Sequence, residues 1–200
     1  MSKKKKESNK LFPVFLKLES LHTLVVGGGN VGLEKLNAIL TNSPAAVVTV
    51  VATNISKKIK KLAEKYPSVS LKEKNFEAND IDQKDIVIVA VNDKTTSQFV
   101  QSVAKQKKIL VNVADKPGLC DFYLGSIVKK GNLKIAISTN GKSPTIAKRI
   151  KENLDDVLPK EINKVLDNME AIRKKMNGNF ALKVKKLNKI TKLLAVNDKK

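Results

Sequence analysis

Apolar residues in this chain alternate between two patterns: short continuous runs, and stretches in which they recur at helical spacing. The runs predict strands over residues 23–26, 46–51, 69–74, 85–91 and 109–113. Several are apolar almost throughout, as expected where both faces of a sheet are covered. Between them the period lengthens and predicts helices over 31–40, 55–66 and 94–105. Leu33, Leu36 and Leu40 fall on one face of the first, and Ile55, Ile59, Leu62 and Tyr66 on one face of the second. Phe99, Val100 and Val103 are the inward positions expected of the third. Strands alternating with helices through residue 113 predict an α/β fold with a doubly wound parallel sheet.

The ends of the chain depart from this rhythm. Residues 1–10 carry no apolar anchor beyond Met1 and read as a disordered basic tail. Residues 11–18 suggest a short edge strand with Pro13 at its start. Residues 114–125 read as a loop, followed by antiparallel strands over 126–130 and 133–138 around Lys130-Gly131-Asn132. Ser143 is an N-cap candidate, and Pro144 suits the first position of a helix that runs to Pro159. A second helix follows over 161–176, then a break at Asn177-Gly178-Asn179 and a very basic helix over 180–195. The organisation expected is a basic tail (1–10), a nucleotide-binding domain (11–113), a small α+β segment for dimerisation and the active site (114–142), and a helical C-terminal region (143–200).

Candidate chemistry starts at the first strand–helix junction. Gly27, Gly29 and Gly32 match G-x-G-x-x-G between a predicted strand and a predicted helix. Gly27 permits the tight turn, Gly29 leaves the backbone open to a pyrophosphate, and Gly32 lets the helix lie close to the strand. Free N–H groups at the helix start face the phosphates. The fold expected is therefore Rossmann-like, the competing reading being a glycine-rich turn in a nucleotide-free α/β domain. An NAD site ordinarily has an acid at the end of the second strand. Here Val51-Ala52-Thr53-Asn54 stands there, with no Asp or Glu between positions 41 and 63. Thr53 and Asn54 can hydrogen-bond a ribose, and no arginine stands by for a 2′-phosphate, so the residues leave NAD and NADP open.

Composition narrows the setting. The single cysteine, Cys120, excludes an intramolecular disulfide and suits a reducing cytosol. No apolar run approaches the roughly 18 residues of a membrane helix, so a soluble cytoplasmic protein is expected. With one His and one Cys the chain cannot build a conventional His/Cys metal cage, and no resident metal is expected. His22, just before the first strand, reads as structural or exposed, and Cys120 as a small loop hydrophobe. The net charge of +20 divides as +4 in residues 1–10, +7 in 11–141 and +9 in 142–200. Nucleic acid, an acidic membrane surface or a polyanionic small molecule would suit that field, as would plain lysine-rich solvated faces. Aromatics at 4% and the absence of Trp argue against a base-stacking surface.

Three stretches carry a family resemblance. Phe12-Pro-Val-Phe with Leu24-Val-Val-Gly-Gly-Gly-Asn-Val and Lys35, then Asn112-Val-Ala-Asp-Lys-Pro, then Ile135-Ala-Ile-Ser-Thr-Asn-Gly-Lys-Ser-Pro, occur in the order seen in precorrin-2 dehydrogenases. Over residues 11–160 the chain resembles that family, which forms the N-terminal module of siroheme synthase and also stands alone. The resemblance implies NAD-linked oxidation of precorrin-2 to sirohydrochlorin, followed in bifunctional members by Fe²⁺ insertion at the same site. It also implies a homodimer. The family's functional aspartate falls on Asp115. Its nucleotide contacts fall on Gly27, Gly28, Gly29, Asn30 and Val31 and on Thr53 and Asn54, and a position phosphorylated in some fused members falls on Thr139. Glu34 departs from the pattern, since many members carry Arg there.

Asp115 follows a predicted strand end, where ligands bind open α/β sheets, and a carboxylate there can exchange protons with a tetrapyrrole. Its other reading is a turn-forming Asp before Lys-Pro. Lys116, Lys142 and Lys148 lie near the candidate loops in sequence and suit a polycarboxylate substrate. The alternative function is a nucleotide-sensing, nucleic-acid-binding regulator with a basic helical tail, although no helix-turn-helix pattern supports it.

Overall fold

The computed structural model describes residues 9–175 and 180–190. Its contacts divide into two compact units, the first running through Gly125 and adding Ser138–Pro144. That unit is built on five parallel strands: β1 (His22–Val26), β2 (Val47–Ala52), β3 (Val69–Glu73), β4 (Ile86–Val89) and β5 (Leu110–Val113). Their order is β3-β2-β1-β4-β5, so the winding reverses between β1 and β4. Such a switch point opens a crevice at the carboxyl ends of the strands.

Helices α1 (Asn30–Asn42), α2 (Lys57–Ala63) and α3 (Lys94–Gln106) connect the strands and cover the sheet. Alternation along the strands sorts the core into two layers. Val25, Val48, Val50 and Ile88 pack with Leu36, Ile39 and Leu40 of α1 and Ile59 of α2. Leu24, Val26, Val87, Val89 and Val111 pack with Val100, Val103 and Ala104 of α3. The predicted parallel α/β fold is present. Leu36 and Leu40 are buried and Leu33 packs at the rim of their cluster, as the helical period requires.

Three expectations are corrected. Residues 11–18 are not a strand: the chain is irregular to Lys17 and makes a 3₁₀ turn at Leu18–Ser20. Both edges of β1 are taken by β2 and β4, and too few residues intervene for the crossover that parallel pairing needs. Helix α2 is shorter than predicted because Ser56 caps it, accepting from the Ile59 N–H at 3.4 Å, which leaves the buried Ile55 in the preceding turn. Phe99 does not point inward; it is 48% exposed and stands edge-on to Phe76, with ring centroids 5.9 Å apart.

The second unit comprises Ser126–Ile137 and the chain from Thr145 onward. Its hairpin pairs β6 (Ser126–Lys130) with β7 (Leu133–Ile137) antiparallel, as predicted. Helices α4 (Pro144–Val157), α5 (Ile162–Lys175) and α6 (Phe180–Ile190) follow, with Pro144 opening α4. The hairpin turn is fastened to α5, since Asn163 Oδ1 accepts from the Asn132 N–H at 2.9 Å. The predicted break at 177–179, the end of the last helix and residues 1–8 of the basic tail lie outside the described residues.

Candidate functional site

The turn between β1 and α1 is dictated by backbone contacts that leave no room for side chains. Gly27 has φ +131°, and a Cβ on it would lie 2.3 Å from the Ala90 carbonyl oxygen on the β4 side. A Cβ on Gly32 would lie 2.1 Å from the Gly27 carbonyl, so α1 rests directly on the turn. A Cβ on Gly28 would meet the Asn54 carbonyl oxygen at 2.1 Å, while the Gly28 carbonyl accepts from the Ser56 N–H at 3.0 Å. Gly29 differs from all three: nothing lies within 4 Å of where its Cβ would be. It caps α1 with no side-chain hydrogen bond, and the first intrahelical bond runs from the Leu33 N–H to its carbonyl. The N–H groups of Asn30, Val31 and Gly32 therefore have no acceptor within the helix, at its positive end. The turn is packed from inside and bare outside, a cradle that suits a pyrophosphate.

The β2–α2 turn sits against this cradle. Thr53 and Asn54 are exposed there, and the Gly28 contact joins them to the glycine turn. The acid missing from β2 has a counterpart on β3. Glu73 Oε1 accepts from the Ile55 N–H at 3.0 Å, and Oε2 accepts from Lys60 Nζ at 2.8 Å. The Lys60 ammonium and the Ile55 N–H hold the Glu73 carboxyl below its ordinary range. Sequence reasoning missed Glu73 because only the Ala52↔Glu73 strand register brings it here.

On the other side of the switch point, Asp93 caps α3 through the Thr96 N–H, and the Thr96 hydroxyl together with that N–H holds the Asp93 carboxyl below its ordinary range. Lys116 Nζ donates to the buried Ser97 Oγ at 2.8 Å, and that hydroxyl donates to the Asp93 carbonyl at 2.7 Å. Asp115 lies just past β5, on the carboxyl rim of the same sheet. It is exposed, at φ +59°, and its carboxylate has no hydrogen-bond or ionic partner among the described residues. The left-handed backbone agrees with the turn reading, and the carboxylate on the rim is open to solvent.

The loop carrying Asp115 folds back along the open edge of β5 and supplies that edge with partners. Asp121 N–H donates to the Val111 carbonyl at 2.8 Å, and Asp121 Oδ2 accepts from the Val111 N–H at 3.0 Å. The buried Asn112 donates to the Phe122 carbonyl at 2.8 Å. Cys120 Sγ accepts from the Val113 N–H at 3.2 Å, and burial pushes its thiol pKa up. Cys120 thus fastens the loop and is poorly suited to nucleophilic chemistry. His22 lies at the opposite end of β1 from the glycines, with Nδ1 3.2 Å from the Gln83 carbonyl, away from the rim. The Thr139 hydroxyl accepts from the Ser143 N–H and donates to the Ser143 carbonyl, both at 3.1 Å, closing the turn ahead of α4. Glu34 pairs with Lys35 at 2.7 Å.

A family model described as NAD(P)-binding matches residues 14–126, which span the whole sheet, the glycine cradle and the Asp115 loop. The chain belongs to this NAD(P)-binding family. A second model, the central part of sirohaem biosynthesis proteins, matches residues 130–156 of the NAD(P)-binding chain. Siroheme synthase from Ruthia magnifica is 34% identical over 173 residues, covering 86% of this chain and 34% of the relative. That from Methylococcus capsulatus is 36% identical over 147 residues, covering 74% and 30%. The chain thus spans about a third of the length of these relatives. Among solved structures it is similar to SirC, precorrin-2 dehydrogenase, with TM-score 0.74 and 27% identity over 94% of this chain and 90% of that one. These findings bear out the family resemblance read from the three motifs, and they lend no support to a nucleic-acid-binding regulator. No helix among the described residues is long and apolar enough to cross a membrane.

Proposed function

We propose that this chain oxidises precorrin-2 to sirohydrochlorin with NAD⁺, as a step of siroheme biosynthesis. The observation that carries the reading is one rim holding two things: a glycine cradle open at Gly29, and the unpartnered carboxylate of Asp115. The likeness to a precorrin-2 dehydrogenase over 94% of the chain supports the same substrate. The glycine turn and the first N–H groups of α1 hold the pyrophosphate, with Asn30 and Val31 at its edge, and Thr53 and Asn54 hold the ribose. Bound NAD⁺ supplies the two-electron acceptor. Asp115 takes the proton released as the macrocycle is oxidised, so that precorrin-2 and NAD⁺ give sirohydrochlorin, NADH and H⁺. Lys116, held by Ser97 beside Asp115, faces the substrate's carboxylates with a fixed positive charge.

The same reading takes Fe²⁺ as a second substrate, with Asp115 accepting pyrrole protons during insertion, and takes the working form as a cytoplasmic homodimer. The match to sirohaem biosynthesis proteins supports the first, and exposed apolar positions on α4 support the second. The test is anaerobic absorbance at 340 nm with purified protein, NAD⁺ and enzymatically generated precorrin-2, followed by Fe²⁺. NADH should appear one-for-one with sirohydrochlorin, and siroheme should then form faster than without protein. Folded protein that gives no NADH with either NAD⁺ or NADP⁺ overturns the reading.

A further inference from the structure

The end of β2 lacks the acid expected at a dinucleotide site, yet the turn that follows is held from both sides. Ile55 is 3% exposed, so its N–H cannot turn to water for an acceptor. Glu73 Oε1 fills that need at 3.0 Å from the neighbouring strand. On the opposite side the turn has no slack, because the Asn54 carbonyl lies 2.1 Å from where a Gly28 Cβ would be and Ser56 N–H bonds the Gly28 carbonyl. A shift of Ile55 therefore moves Thr53 and Asn54 and presses on the glycine cradle together. Lys60 fixes the other carboxylate oxygen at 2.8 Å. Each oxygen thus carries one protein donor, and the bond to the Ile55 N–H is the one through which Glu73 acts on the turn.

We infer that Glu73 is the positioning residue of the dinucleotide site, delivering from β3 the carboxylate that β2 lacks and setting Thr53, Asn54 and the glycine turn for NAD. The inference rests on the proposed dehydrogenase function and deepens it. It depends on reach and on an acceptor atom more than on charge, which gives the test its sign. Glu73→Gln keeps the length and one amide oxygen for Ile55. Glu73→Asp keeps the charge but is one methylene too short, and Glu73→Ala lacks the acceptor altogether.

The full chain is titrated with NADH, followed by the emission of NADH itself since the protein contains no tryptophan. Glu73→Ala and Glu73→Asp should each weaken NADH binding about tenfold, the scale of one lost hydrogen bond. Glu73→Gln should stay within about threefold of wild type. In turnover, KM for NAD⁺ should rise in parallel, while kcat and KM for precorrin-2 hold. Should Glu73→Ala fail to fold, the contrast between Glu73→Asp and Glu73→Gln still decides. Wild-type affinity in Glu73→Asp, or Glu73→Gln as weak as Glu73→Asp, overturns the inference and leaves the dehydrogenase standing. A wild-type protein that binds no NADH overturns both.

Discussion

Asp115 sits at φ +59°, a conformation that asparagine accepts as readily as aspartate and alanine does not. That separates its two readings experimentally. Asp115→Asn keeps the turn before Lys116 and Pro117 and removes the base. If the carboxylate takes the substrate's proton, kcat for NADH formation should fall by roughly 10²–10⁴, the range for a lost general base. NADH affinity and melting temperature should match wild type. A turn-forming aspartate with no chemical role gives the opposite pattern: Asp115→Asn turns over normally, and only Asp115→Ala loses ground, through stability. The neighbouring loop is fastened by Asn112, Cys120 and Asp121 and not by Asp115 itself, so the substitution leaves those hydrogen bonds in place.

At the level of elements, the glycine turn makes a prediction the motif alone does not. G-x-G-x-x-G leaves its second position free, yet a Cβ on Gly28 would lie 2.1 Å from a backbone carbonyl that cannot swing aside. Gly28→Ala should cost about 1–3 kcal/mol and lower the melting temperature by several degrees. Gly29→Ala, with open space around it, should melt like wild type and yet bind NADH at least tenfold more weakly, because the new methyl occupies the face left for the pyrophosphate. Equal effects from the two substitutions would refute this division of labour. The strands, the helices and the cradle were legible because period and glycine spacing are local signals. Asp115 was legible as the residue past a strand end. Glu73 and Asp121 were not, since each reaches its partner through strand register or a loop folded back on an edge, and neither arrangement leaves a period in the sequence. The segment 11–18 misled for a related reason: its apolar residues suit a strand, and only the occupied edges of β1 exclude one.

The whole molecule carries one field with two consequences of opposite sign. Ile146, Ile150 and Val157 are 53%, 40% and 78% exposed, four and seven residues apart along α4. Such a stripe on a folded helix calls for a cover, and a second copy of the chain is the cover proposed here. Each copy brings a net charge of +20, so association works against repulsion that salt relieves, with screening over about 10 Å at 0.1 M ionic strength. Light scattering should therefore give a mass near twice 22.0 kDa at moderate salt and a growing monomer fraction at low salt. The double substitution Ile146→Glu with Ile150→Glu should give monomer throughout. The proposed polycarboxylate substrate should answer to the same field in the other direction, its KM rising with salt as the lysine-rich surface is screened. Turnover at fixed low enzyme and substrate concentration should then peak at intermediate ionic strength. A dimer that dissociates as salt is raised would show that ion pairs hold the two copies together, and a monomer at every salt concentration would remove α4 as the interface.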